Sequence, residues 1–426
     1  VSMKEQLSNL GLYFDLPNPG LRAYFKRTEL GNPDDYRPPF WKGQSREEVL
    51  SSWQKVFDTL GVKEKWPTLY DFEMEMKSKA GPMSIQLPLK DRYDSIENYF
   101  TDRPSEPLTA DAISSTIKFF GKARGIRLRS VQNTIGNMRL STNSGSPEFT
   151  KRRRVVDKES NARIQYPYVY LGDHKYELCA VLGWRGQEGG IQDDDVKQRV
   201  IWMMPLSLNI KELQFYQPAI EAVQKNDLIP AYISMDRVDE EVTRLFDTKP
   251  EEDDVVCTDF SKFDQHFNSD MQDAAKQILS ALGSDNAEWL DQIFPIKFKL
   301  PLVCSENVIF KGDHGMGSGS GGTNFDECMS HKALQFEAAQ EQGATLNPHS
   351  MAYGDDGILT YPGIKVEDVI RTYTRHGQEM NPDKQYVSKH DCVVLRRWHS
   401  TSYRENGIMV GVYSTFRALG RLLAQE

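Results

Sequence analysis

Cysteine is scarce: five residues in 426, odd in number and with no C-x-x-C pair, leave little basis for a disulfide framework. Cys179, Cys257, Cys304, Cys328 and Cys392 therefore read as reduced thiols in a cytosol-like setting. His390, Cys392 and His399 come nearest to a metal-ligand grouping, but their spacing matches no zinc pattern. Long apolar runs are missing too, so no segment reads as a membrane span and no membrane partner is expected. The opening stretch "VSMKEQLSNLGLYF" lacks the basic-then-apolar order of a secretion signal, and its initial Val suggests a trimmed or tagged chain. No repeat or low-complexity linker appears, which leaves domain boundaries soft. An excess of positive charge is also absent, since 52 Lys and Arg face 61 Asp and Glu.

What remains is the composition of a large globular protein, 39% hydrophobic and 27% charged, long enough for two or three domains or one multi-lobed enzyme. Its charges are clustered: "EEDD" at 251–254 and "DDD" at 193–195 are acidic, while "KRRR" at 151–154 is basic. A basic groove in an acidic protein is still an electrostatic footprint for nucleic acid. Early Pro- and Gly-rich loops give way to a helix that Ser45 and Glu48 box, with Val49, Leu50, Trp53, Val56, Phe57 and Leu60 at helical spacing and Gly61 as the stop. Ser269 with Gln272 predicts a second box, over the stripe Met271, Ala274, Ala275, Ile278, Leu279 and Leu282, ended by Gly283. From about residue 255 onward, strand-like runs alternate with helical ones, which implies an α+β or α/β core.

Three segments carry chemistry. "MAYGDDGILTY" reads as a β-hairpin with Asp355 and Asp356 at or beside its tip. Two carboxylates about 4 Å apart repel by roughly 4 kcal/mol at an effective dielectric near 20, so the pair asks for a cation or a shared proton. In "VVCTDFSKFDQHF" an apolar run ends in Asp259, with Asp264 five residues on; a carboxylate at the end of a buried strand suits a metal ligand. Between them, six glycines fall in the eleven residues 312–322, with the hydroxyls of Ser318, Ser320 and Thr323 at hand. "GSGSGG" there satisfies G-x-G-x-x-G, with Glu341 near the place of a ribose-binding acid, but that match is permissive and explains neither acidic site. Asp259, Asp355 and Asp356 converging on two divalent cations, Mg²⁺ or Mn²⁺, would suit in-line phosphoryl displacement.

Taken together, these residues resemble the viral RNA-dependent RNA polymerases, with picobirnavirus polymerases the nearest likeness, over about Thr142 to Arg417. "TNSGSP" is similar to the template-admitting motif, "GWRGQ…VKQRVIWMMP" to the basic finger motif, and "DFSKFD", "SGSGGT" and "YGDD" to the three palm motifs. "NPDKQ" places Lys384 where the family carries a lysine able to protonate leaving pyrophosphate, and "VVLRRW" resembles the primer-grip turn.

The resemblance implies an α+β right-hand polymerase. Residues 1–95 would pack on fingers and thumb, 96–205 with a return at about 270–312 would form fingers, and 206–269 with 313–403 the palm. Residues 404–426 would begin a thumb, which the thirty or so residues after the primer-grip turn leave incomplete. It implies Asp259, Asp355, Asp356 and Lys384 as catalytic residues, the three aspartates holding metal. Arg185, Lys197, Arg199, Asp264, Ser318, Gly319 and Thr323 would bind the nucleotide, with Ser318 or Thr323 orienting Asp264 towards the ribose. Thr142, Ser144, Gly145, Pro147, Lys151, Arg152, Arg396 and Arg397 would meet RNA. Partners would be template and product RNA, NTPs and a viral capsid protein, in the virion interior or host cytoplasm. Glu327 stands where many relatives have Asn, and its charge predicts a side chain facing solvent or a basic partner. A reverse transcriptase would usually put an aromatic at position 264, where Asp instead accepts a hydrogen bond from a 2′-hydroxyl. A non-catalytic RNA-binding or capsid-associated protein would account for "KRRR" but for neither acidic site.

Overall fold

Val255–Thr258 is buried on both faces, and the structure builds outward from it. The computed structural model describes residues 3–424, so Val1 and the last two residues of the 404–426 segment lie outside the described residues. The buried strand is the third member of a four-stranded antiparallel sheet ordered Met351–Tyr353, Asp356–Leu359, Val255–Thr258, Tyr386–Ser388. Side chains alternate across a strand. Val256 and Leu359 join the main core with Ala274, Ile278 and Met329 of two helices, Ser269–Leu282 and Thr323–Glu341. On the other face Val255, Cys257 and Ile358 pack with Val238, Val242 and Leu245 of the Met235–Thr248 helix. The Asp391–Val394 and Arg397–Ser400 strands form an adjoining hairpin whose turn, Leu395–Arg396, has positive φ at both residues.

A five-stranded sheet carries the long basic hairpin, Ala180–Gln187 against Lys197–Met203, and extends to the N-terminal strand Lys4–Gln6. The Asp356–Leu359 hairpin, the basic strand and the Ser269–Leu282 stripe all follow the sequence pattern, and the six stripe residues are buried. Two details differ. Asn268, not Ser269, caps that helix: its Oδ1 accepts from the N–H groups of Asp270 and Met271, and Asn is as favourable a cap as Ser. In the Arg46–Thr59 helix Ser45 is the cap as read, but only Val49 and Leu50 are buried, and Trp53, Val56 and Leu60 remain exposed. All five cysteines are buried free thiols. Among the described residues no helix is long and apolar enough to cross a membrane.

The two ends of the chain meet. Glu73, 1% exposed in the Pro67–Lys79 helix, accepts from Ser414 Oγ (2.8 Å) and from the N–H groups of Thr415 (2.9 Å) and Phe416 (3.2 Å) at the start of the Thr415–Leu423 helix. Trp41 Nε1 donates to the Leu423 carbonyl at the far end of the same helix.

Candidate active site

The Gly-Asp-Asp hairpin turns on Gly354 and Asp355, with Tyr353 opposite Asp356. Gly354 has φ +60°, at the turn position where two-residue hairpins favour glycine. Thr258 pairs with Gly357, so the next residue, Asp259, leaves its strand level with the acidic turn. Gln385 fixes it there: its side chain accepts from the Asp259 N–H and donates to the Asp259 carbonyl, both at 2.8 Å. Asp259 and Asp355 both open onto a cleft, and each is raised above the usual carboxylate range. Desolvation is the main cause for both; Asp264 and then Asp259 add to it at Asp355, while Lys384 and Lys79 oppose it at Asp259.

Cations line the opposite side. Register puts Arg185 directly across from Arg199 and Gln187 across from Lys197, so the three basic side chains share one face of the hairpin, as their alternation predicts. Like charges directly opposite are unfavourable unless an anion joins them. Arg199 Nε donates to Gln187 at 2.6 Å, and its charge reaches Asp355. Lys197 is lowered by burial and then by Lys79, Lys384 and Arg199. Lys384, exposed on the short turn Pro382–Lys384, is the foremost cation acting on Asp259. Sequence reading missed two participants. Gln385 is indistinguishable by type from any loop glutamine, and Lys79 arrives from a helix far from Asp259 and Lys197 in the chain, beyond any local signal.

Several assignments change. The sequence sets Asp356 among the metal ligands, but its carboxylate turns to the adjoining hairpin, where Oδ2 accepts from the Leu395 N–H at 2.7 Å. Burial and Asp355 push it up to about 7. Asp355 projects from the turn while Asp356 begins the strand and is held by the adjoining hairpin, so the two do not share a ligand position. Among the described residues no three His, Cys, Asp or Glu side chains form a ready-made metal cage. Glu327 does not face solvent: it is 5% exposed, lies beside Asp264, and is driven well above the usual range by burial and by that neighbour. Ser318 and Thr323 do not orient Asp264. Ser318 Oγ accepts from the Trp202 N–H (3.1 Å), and Thr323 Oγ1 donates to the Gly317 carbonyl (3.1 Å), so both hydroxyls hold the glycine loop in place. Gly319 acts through its backbone: a Cβ there would stand 1.8 Å from the Trp202 carbonyl, and its own carbonyl accepts from Asn209.

The RNA-facing set also divides. Thr142, Lys151 and Arg396 are exposed. Ser144, Gly145 and Pro147 are buried; Ser144 bonds to Thr150, and Gly145, with φ +66°, lies against the Met204 carbonyl. Arg152 is spent on Asn209 (2.7 Å) and the Arg139 carbonyl (3.1 Å), and Arg397 on Asp239 (3.2 Å) and the Gly411 carbonyl (2.9 Å). These five support the surface on which the exposed three stand. The dinucleotide reading fails: Glu341 is held by Arg375 and Thr372, remote from any ribose position by its partners. Cys392 and His399 do face each other across strands, but His399 Nε2 lies 2.8 Å from Asp239.

A family model for the viral RNA-dependent RNA polymerases matches residues 92–401. A human picobirnavirus protein (strain Human/Thailand/Hy005102/-), named as a potential RNA-dependent RNA polymerase, is 50% identical over 422 residues, which cover 97% of this chain and 79% of that protein. The crystal structure of a human picobirnavirus RNA-dependent RNA polymerase superposes with a TM-score of 0.96 at 50% identity, covering 99% of this chain and 82% of that one. Its insertion-loop deletion mutant gives the same TM-score at 49% identity, over 99% and 85%.

Proposed function

Because the chain belongs to the viral RNA-dependent RNA polymerases, a family of nucleotidyltransferases, we propose that it copies viral RNA from NTPs for genome replication and transcription of a double-stranded RNA virus. One observation carries the mechanism: Asp259 and Asp355 stand in one cleft facing Lys197, Arg199 and Lys384. Acids and bases so divided suit a triphosphate whose reacting end needs divalent metal and whose leaving end needs positive charge. The residues fit Mg²⁺ or Mn²⁺, because two carboxylates held apart by the turn leave positions for substrate phosphate oxygens, as magnesium sites usually do. Two such ions, when bound, would lower the pKa of the primer 3′-hydroxyl and offset charge on the α-phosphate.

This chain's own groups do the rest. Asp259 and Asp355 hold the metal positions, and Gln385 keeps Asp259 at the strand end. Arg185, Lys197 and Arg199 draw the triphosphate to one hairpin face. Lys384 is the candidate general acid that gives a proton to the departing pyrophosphate. Asp264, with Glu327 behind it, receives the ribose 2′-hydroxyl. Asp356 ties the acidic turn to the 391–400 hairpin, which positions Arg396 for the primer strand. In right-hand terms, residues 96–205 with 270–312 are fingers and 206–269 with 313–403 palm. The Pro67–Lys79 helix and Trp41 clasp residues 414–423, where a thumb begins. Work in the virion interior or host cytoplasm beside a capsid protein follows from this reading.

The test is UTP incorporation on a defined RNA template, with and without primer and with Mg²⁺ or Mn²⁺. Asp355→Ala and Asp259→Ala should each abolish incorporation with the circular-dichroism spectrum intact, and wild-type turnover in either would remove the metal assignment.

A further inference from the structure

Behind the acidic hairpin, on the face opposite the cleft, lies a cavity of about 230 Å³. Its walls come from the backs of the Met351–Tyr353 and Asp356–Leu359 strands, the Leu395 turn, the Met235–Thr248 helix and the 227–231 loop, with Lys332 also lining it. Most of its lining is apolar: Phe119, Leu228, Ile229, Pro230, Met351 and Val394 all face it. Its charged groups are not all joined in ion pairs. Arg237 is matched by Asp227 (2.8 Å) and Glu241 (2.5 Å), and His349 by Glu241, so these four form a closed set. Asp356 is satisfied by the Leu395 N–H.

Two cations are left over. Lys332, 4% exposed, donates to the Ser350 carbonyl (2.6 Å) and Gln335 Oε1 (3.0 Å) and lies 4.8 Å from the Phe119 ring centre, with no carboxylate in ion-pair distance among the described residues. Burial pulls its pKa down to about 7, with Glu241 offsetting that only in part. Arg244 is exposed and, among the described residues, its guanidinium has no hydrogen-bond or ion-pair partner. An apolar chamber between two cations that have no ion-pair partner among the described residues selects a ligand with a flat apolar body and one acidic group. The volume is below the roughly 300 Å³ at which drug-sized ligands begin, which favours a one- or two-ring acid over a long acyl chain.

We propose that this cavity is a binding site for a small aryl carboxylate or sulfonate, separate from the nucleotide cleft, whose occupant wedges between the acidic hairpin and the Met235–Thr248 helix. The same strands that carry Asp355 form its wall, so an occupant restrains the catalytic hairpin without touching nucleotide. It should lower kcat for RNA synthesis and leave the KM for UTP unchanged.

Naphthalene-2-sulfonate is the probe, measured by titration calorimetry on the full chain without metal or nucleotide. One saturable site is expected. Arg244→Gln should weaken it about tenfold, the loss of one charge-assisted contact. Ala231→Phe, which fills the chamber from its partly exposed 227–231 wall, should abolish it. Neutral naphthalene-2-sulfonamide should bind at least about tenfold more weakly than the acid. Absence of saturable binding, or affinity equal in wild type and both variants, would overturn the site; equal affinity for the sulfonamide would overturn its anion preference. The calorimetry does not depend on the polymerase reading. Binding without a fall in kcat would overturn only the coupling to the hairpin, and an inactive wild type would count against the polymerase reading alone.

Discussion

At the scale of single residues, the acids were legible and their surroundings were not. A strand-end Asp259 and a turn Asp355 each stand where residue type and spacing put them, because strand and turn are local structures with local signals, whereas Lys384 was singled out by the family resemblance alone. Glu327 shows the limit: a charged residue in a helix reads as solvated, yet here it is buried against Asp264, and only the packed structure reveals that the two carboxyl groups meet. A carboxyl held neutral is a hydrogen-bond donor, which makes Glu327 able to fix Asp264 as the acceptor for a 2′-hydroxyl. Gln can also donate and Leu cannot. Glu327→Gln should therefore keep the preference for UTP over dTTP, whereas Glu327→Leu and Asp264→Ala should narrow it roughly ten- to a hundredfold, the worth of one buried hydrogen bond of about 1–3 kcal/mol. Comparing kcat/KM for both nucleotides decides it, and a Gln variant as permissive as the Leu variant would remove the donor role. For Lys384→Leu, single-turnover incorporation should slow by about 10²-fold or more with NTP affinity unchanged. An unaltered single-turnover rate would take Lys384 out of the mechanism.

Elements were read well where one pattern decides them and poorly where a distant partner does. The Ser269–Leu282 stripe is buried in full, but the equally regular Arg46–Thr59 stripe is half exposed, since periodicity says which residues share a face and not what covers it. Elements are joined here by buried acids whose partners lie far away in sequence. Glu337, 1% exposed on the Thr323–Glu341 helix, accepts from the Thr109 N–H at the cap of the Ala110–Phe119 helix (2.7 Å) and from Arg375 (2.6 Å), and pairs with His376 at the end of the Val366–Arg375 helix. Burial alone would raise its pKa, yet His376, Thr109 and Arg375 together bring it down to about 2. A depressed carboxylate gives stability that is complete above its unfolded pKa, about 4.3, and is lost as pH falls towards the folded value. Glu337→Gln should thus cost on the order of 2–3 kcal/mol at pH 7, shrinking steadily between about pH 4.3 and 2. Urea melts of both proteins across that range measure it. A difference that stayed constant with pH would mean that packing, and not the ionised contacts, joins the three helices.

For the whole molecule, the order of motifs along the chain gave the α+β architecture, while the closing of the chain on itself had no sequence signal. Nothing in "LYDFEMEM" says that Glu73 will cap a helix more than 340 positions later, because one buried glutamate resembles any helical glutamate until its partner is known. That cap gives a route by which the N-terminal segment reaches the cleft. Glu73 and Lys79 belong to one helix, and the charge of Lys79 acts on both Asp259 and Lys197. Removing the Glu73 carboxylate leaves Ser414 Oγ and the N–H groups of Thr415 and Phe416 without their acceptor, at a cost of about 1–3 kcal/mol. Glu73→Ala should therefore speed proteolytic cutting on both sides of the clasp, near residues 60–66 and 401–414, before any cut in the four-stranded sheet. As the Pro67–Lys79 helix loosens, Lys79 leaves the cleft, so the KM for UTP should rise while RNA affinity holds. Glu73→Gln, which keeps one accepting oxygen, should fall between the two. Were Glu73→Ala cut at the wild-type rate but still raised in KM, Glu73 would act on the cleft without holding the chain ends together; cut faster with KM unchanged, it would hold the ends and leave the cleft alone.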